Sequence, residues 1–190
     1  MGRTKRILLL VFAVCAAPVV AAYLTYHVIK PQSRSNYGDL IDPRAHPLPD
    51  LDSRTLQGQP ASLMQWRGKW LLLQVSGADC DPACERRLFY LRQLRLMQGW
   101  DQGRIERVWL ITDEALLDTW LLKKYDGTHL LRVDPKKLVA WLPVKTGRQV
   151  SDYLYLIDPQ GRLMMRFPAN ADASQIHKDI ARLLKASGTG

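Results

Sequence analysis

Cysteine is scarce in this chain. Three occur among 190 residues, and one of them, Cys15, sits inside an N-terminal apolar run. Only Cys80 and Cys84 are left for a folded domain. That number is too small for a disulfide-rich scaffold and too small for a structural zinc site, which takes four ligands. Acidic residues are missing altogether from residues 1–30. A Ser–His–Asp set, a phosphate-binding P-loop and a dinucleotide-binding glycine fingerprint are also absent, which removes the commonest hydrolase and nucleotide-binding classes. There is no internal repeat and no low-complexity tract.

What the N-terminus does have is a long apolar run. Residues 7–29 read ILLLVFAVCAAPVVAAYLTYHVI, with no charge until Lys30. About 20 such residues span a bilayer. A cleaved signal peptide carries a shorter apolar core of about 7–15 residues, so an uncleaved transmembrane anchor is expected, with Tyr23 and Tyr26 at an interface. Residues 1–6 form a basic end carrying Arg3, Lys5 and Arg6. Positive charge stays on the cytoplasmic side, so the rest of the chain is expected on the far side. We take that to be the periplasm of a bacterium, with the anchor in the inner membrane. An oxidising compartment allows Cys80 and Cys84 to pair.

The formal net charge is +9. Setting aside the four basic residues of the first thirty leaves 23 basic against 18 acidic, or +5. These charges are interspersed along helix-like segments. They suggest a solvated surface and no nucleic-acid partner, with the lipid bilayer as the first expected contact.

Residues 30–47 are rich in Pro, Ser, Asn and Asp and read as a linker. A domain over 48–186 and a short tail over 187–190 follow. Within the domain a small hairpin is expected across Gln57–Pro60, between LPDLDSRTL and ASLMQW. Leu71–Val75 is a continuous apolar run, as in a central strand buried on both faces. Leu88, Leu91, Leu94 and Met97 recur at helical spacing over residues 85–100. Strands are expected at 107–112 and 129–133. Between them a helix is expected over 114–125, capped by Asp113, and after them another over 135–141 with Pro135 at its first position. Tyr153–Ile157 and Leu163–Phe167 flank the turn Asp158–Gly161, a hairpin. Residues 172–186 form a terminal amphipathic helix. The fold class is therefore α/β, a mixed sheet flanked by helices. Trp66, Trp70, Trp100, Trp109, Trp120 and Trp141 are expected to pack the core or its rim.

The two cysteines, in the stretch Cys80-Asp-Pro-Ala-Cys84, fall between the apolar strand and the following helix. A strand-to-helix junction at the C-terminal end of a sheet is where α/β folds place their sites. Backbone N–H groups and the helix dipole there favour thiolate, the form that binds soft metals and exchanges disulfides. Asp79 and Asp81 act against thiolate, and no cationic residue lies between the sulfurs. Three readings remain open: a Cu(I) site, a redox pair with Cys80 attacking and Cys84 resolving, and a structural disulfide. His46, His129 and His177 are the histidines available to the domain as a third ligand, each more often a surface residue than a ligand.

The element order with cysteines at this junction resembles the thioredoxin superfamily. Arg67-Gly-Lys-Trp-Leu-Leu-Leu resembles the strand entry of its membrane-anchored extracytoplasmic members. The CxxxC spacing and the late segment YLIDPQGRL are most similar to Sco-type copper chaperones. The resemblance implies a thioredoxin-like domain behind a membrane anchor, with Cys80 and Cys84 as metal or redox ligands and Cu(I) as cargo. Its implied partners are cytochrome c oxidase subunit II or other oxidase assembly factors. It implies a metallochaperone or assembly factor, or, if an enzyme, a thiol–disulfide oxidoreductase. The position of the family's copper-binding histidine is Val150 here, within Gln149-Val-Ser-Asp152. The cis-proline segment of thioredoxin oxidoreductases is also missing.

Overall fold

The computed structural model describes residues 2–24, 36–168 and 170–188. The chain divides into two units, Met1–Ser35 and Asn36–Gly190.

In the first unit a single helix, α1, runs over Arg3–Leu24 with Pro18 inside it. It is long and apolar enough to cross a membrane. At 1.5 Å per residue it measures about 33 Å, close to the thickness of a bilayer core. The helix begins within the stretch expected to be a basic end. Residues 25–29 of the expected anchor and 30–35 of the expected linker lie outside the described residues.

The second unit is a six-stranded sheet in the order β1-β6-β5-β2-β3-β4. Its strands are β1 (Asp39–Leu40), β2 (Trp70–Ser76), β3 (Ile105–Ile111), β4 (His129–Arg132), β5 (Tyr153–Ile157) and β6 (Leu163–Pro168). The pairs β2–β3 and β3–β4 are parallel, while β5 runs antiparallel to β2 and to β6. The parallel half is joined by α2 (Pro82–Leu96) and α3 (Thr119–Lys124), and α4 (Pro135–Trp141) and α5 (Ala173–Ala186) complete the layers. This is the expected α/β, thioredoxin-like mixed sheet flanked by helices.

Every residue of β2 is buried, and its alternation sorts the core into two layers. Trp70 and Leu72 join Leu88, Leu91 and Leu94 of α2 and Ile176 and Ile180 of α5 on one face. Leu71, Leu73 and Val75 join Leu138 and Trp141 of α4 on the other. Each fully buried leucine contributes about 1.5–3 kcal/mol of transfer free energy. The period of two also points Gln74 and Ser76 toward α2, which fixes the site described below.

Several elements differ from the sequence expectation. Residues 37–47 are part of the domain, not a linker. The buried Asp179 carboxylate on α5 accepts from Tyr37 N at 2.7 Å and Gly38 N at 2.9 Å. β1 then pairs with β6, and Leu163 N donates to His46 O. Gly38 is required there because a Cβ would lie 2.5 Å from Phe167. The expected hairpin survives as a tight turn, with Thr55 N donating to Gln59 O and Ala61 N to Ser53 O. Its second arm becomes a 3₁₀ turn, Leu63–Trp66, capped by Ser62. The helix expected at 114–125 is only α3, capped by Asp118, because Arg132 takes the Asp113 and Ala115 carbonyls that a helix starting at 114 would use. α2 begins at Pro82 with Asp81 as its cap, so Cys84 lies in its first turn.

Of the six tryptophans, Trp70, Trp109 and Trp141 are buried. Trp66 stacks on His129 with ring centroids 4.1 Å apart. Trp120 is half exposed, and Trp100 is fully exposed, contrary to the expectation that it packs.

Candidate functional site

Cys80 and Cys84 form a disulfide at the C-terminal end of β2 and the start of α2. The two sulfurs differ in environment. Cys84 is 1% exposed, while Cys80 is partly exposed and lines a groove of about 260 Å³. The local sequence explains the placement. The Asp81 side chain accepts from Cys84 N at 2.6 Å, Pro82 occupies the first helical turn, and Cys84 therefore points inward with Leu88 and Leu91.

Beneath Cys84 lies a buried polar chain that the sequence reading missed. Trp109 Nε1 donates to Ser76 Oγ at 2.7 Å. An indole N–H is a donor only, so the serine proton is free to reach Cys84 Sγ, 3.1 Å away. Gln74 Nε2 donates to the same sulfur at 3.5 Å, and Gln74 is fully buried. Both polar residues interrupt an otherwise apolar run, and that was the available signal: a polar residue in a strand buried on both faces needs a partner.

Two further residues frame the site. Arg87 is one turn beyond Cys84 on α2 and 6% exposed. Burial pushes its pKa down, and Asp81 and Asp152 act in the opposite direction. The carboxylate of Asp113, at the end of β3, accepts from Ala78 N at 3.1 Å and from Ala115 N at 3.2 Å. It thereby joins the cysteine loop to the loop after β3. A Cβ on Gly77 would lie 2.4 Å from Asp113 Oδ2, so that approach requires glycine.

The groove beside Cys80 is also lined by Asp79, Glu85, Leu116, Asp118 and Trp120. Leu116 is 94% and Trp120 54% exposed. Lys124 pairs with Glu85 and stands over the Trp120 ring at 4.3 Å. Tyr125 donates to Glu85 O at 3.2 Å, and burial raises its pKa.

The histidines do not join the sulfurs. His129 starts β4 and pairs with Glu106 near the N-terminal end of β3. His177 contacts Met97 O at 3.1 Å, just past the C-terminal end of α2. His46 contacts Trp141 O at 3.1 Å, and its own carbonyl accepts from Leu163 at the start of β6. His46 and His177 lie at the end of the sheet opposite the cysteines, while His129 is level with Val108 and Leu73 in the middle of the sheet, on the α4 face away from Cys84. Val150 is at the cysteine end, in the 3₁₀ turn Val150–Asp152 that leads into β5, and it packs on the apolar cluster under α4. Among the described residues no group of three or more His, Cys, Asp or Glu side chains is placed to hold a metal ion. Once reduced, the pair offers two thiolates, soft donors that suit Cu(I).

A sequence profile for the transmembrane-like, thioredoxin-like C-terminal domain matches residues 70–187. No curated protein matches the sequence closely. Solved structures share the fold. Bradyrhizobium japonicum ScoI with copper bound is 18% identical, with a TM-score of 0.51 over 70% of this chain and 96% of its own. Yeast Sco1 with copper bound is 17% identical, with a TM-score of 0.56 over 80% and 90%. BsSco, a member of the Sco family of cytochrome c oxidase assembly proteins in which a disulfide switch was identified, is 18% identical, with a TM-score of 0.55 over 75% and 97%.

Proposed function

The chain belongs to the family of transmembrane-like, thioredoxin-like C-terminal domains, and on that premise we propose that it is a membrane-anchored thiol–disulfide exchange protein. The observation that carries this reading is the asymmetry of the pair: one sulfur open to a groove and one buried on hydrogen-bond donors. The reduced Cys80 thiolate attacks a disulfide of a partner, forming a mixed disulfide and releasing one partner thiolate. Cys84 then attacks Cys80 Sγ, the intermolecular bond breaks, and the partner leaves with both thiols reduced. The chain is left as the disulfide seen in the structure, two electrons poorer, and a dithiol reductant restores it.

By resemblance to the Sco structures, the partner is the cysteine pair of a copper site in cytochrome c oxidase subunit II, or another factor of that assembly. The domain then works in the periplasm of a bacterium, with α1 in the inner membrane and its basic start in the cytoplasm. The organisation is an anchor followed by a thioredoxin-like domain. A Cys84→Ser variant of the full chain tests the exchange, because it stalls at the mixed disulfide. Subunit II trapped through Cys80, and released by a thiol reductant, supports the reading. Full oxidase assembly with a Cys80→Ser/Cys84→Ser chain overturns it and leaves a non-catalytic assembly factor.

A second reading, Cu(I) held by the two reduced sulfurs, is favoured by the copper-bound structures that share the fold. It departs from the family pattern in having Val150 where the histidine ligand is expected. Stoichiometric Cu(I) binding that needs both cysteines distinguishes it.

A further inference from the structure

Trp100 is the outlier among the tryptophans. Its side chain is fully exposed, and Leu96 and Met97, at the C-terminal end of α2, are 50% and 43% exposed. Three large apolar side chains within five residues, facing water, mark a contact surface.

Cationic groups surround this turn. Lys69 Nζ donates to Gly103 O at 2.6 Å, in the 3₁₀ turn that contains Trp100. Arg104 Nη1 and Nη2 hold Leu184 O and Ser187 O at 3.1 and 2.7 Å, which brings the last turn of α5 and Lys185 to the same place. His177 is bonded to Met97 O at 3.1 Å. Lys178 follows it, on the same helical stripe as Lys185 seven residues on. Asp101 is the acidic residue in the turn, and it is paired with Arg104. We infer that this face is a docking surface for an anionic lipid bilayer, with Trp100 and its apolar neighbours entering the interface and the lysines at the headgroups.

Three observations point to lipid in particular. Tryptophan with basic neighbours is the composition of membrane interfaces. Eleven residues separate α1 from Asn36, which keeps a weak surface at high effective concentration near a bilayer once α1 is inserted. The turn leads directly into Ile105, at the N-terminal end of the parallel strands, so docking there leaves the Cys80 groove, at the other end, open to a partner.

The test uses the full chain reconstituted into phosphatidylcholine vesicles with or without phosphatidylglycerol. No tryptophan precedes Trp66, so the anchor contributes no signal. Quenching by lipids brominated on their acyl chains is compared for the wild type, Trp100→Phe and Trp120→Phe. The expected result is a quenched component that disappears in Trp100→Phe, persists in Trp120→Phe, and weakens without phosphatidylglycerol or in Lys178→Glu/Lys185→Glu. Both tryptophans sit on exposed positions, so these variants keep the fold. Equal quenching in both lipid mixtures overturns the electrostatic part. Free access of aqueous acrylamide to Trp100 in both mixtures overturns the surface, and protection seen only on adding soluble protein reassigns it to a protein partner.

Discussion

The hydroxyl of Ser76 lies 3.1 Å from the sulfur of Cys84, with the proton direction set from behind by Trp109. A hydroxyl donating to sulfur stabilises a thiolate more than a disulfide, so this contact favours the reduced form of the pair.

Ser76→Ala is therefore expected to lower the reduction potential of the Cys80–Cys84 couple by about 30–60 mV, the equivalent of one charge-assisted hydrogen bond of about 1.5–3 kcal/mol. Ser76→Thr keeps a hydroxyl and restores most of it. Redox titration of the three proteins against glutathione reads the shift, and an unchanged potential in Ser76→Ala removes the contact from the redox chemistry.

The histidines allow a second prediction. With His46 and His177 at the opposite end of the sheet and His129 on its other face, level with Val108, changing all three to alanine leaves Cu(I) binding by the reduced chain unaltered. Val150→His adds a donor at the cysteine end and raises the affinity. Competition with a Cu(I) chelator under anaerobic conditions measures both. Loss of binding in the triple variant contradicts the placement.

Asp179 ties residues 37 and 38 to α5 with two hydrogen bonds and is 2% exposed. Asp179→Ala leaves two N–H groups without acceptors and is expected to cost about 2–4 kcal/mol, read from denaturant midpoints. A change below 1 kcal/mol, on the order of one ordinary hydrogen bond, means residues 37–47 are not anchored this way.

Asp39 gives a pH prediction. A hydrogen bond from Lys145 lowers its pKa in the folded chain, with Arg166 acting in the same direction. A depressed carboxylate stabilises the fold above its unfolded value of about 3.9 and loses that contribution as pH falls through the lower folded value. The melting temperature is therefore expected to drop on acidification below about pH 4, and to drop less in Asp39→Asn. Identical acid profiles for the two proteins contradict the pairing.

The sheet was legible because its central strand is a mostly apolar run and its last two strands flank an Asp-Pro-Gln-Gly turn. The cysteine pair was legible from its junction. What the sequence concealed were long-range polar choices. Asp113 keeps the Ala115 contact of a helix cap, yet its carboxylate also accepts from Ala78 in the cysteine loop and Arg132 holds its carbonyl, so no helix follows. Tyr37–Pro47 has linker composition, yet its backbone satisfies an edge strand and a buried carboxylate. Trp100 has the composition of a core residue, and only the end of α2 shows that nothing packs on it. Gln74 and Ser76 were a signal left unread, two polar residues in a doubly buried strand that require a partner, which is Cys84.

The central claim is that Cys80–Cys84 is an exchanging pair and not a staple. Its most direct test is the reduction potential of the full chain in detergent, measured as a two-electron equilibrium with glutathione. The account predicts a reversible couple above about −300 mV, the upper bound typical of structural disulfides in secreted proteins. A bond that stays oxidised below that value contradicts the account.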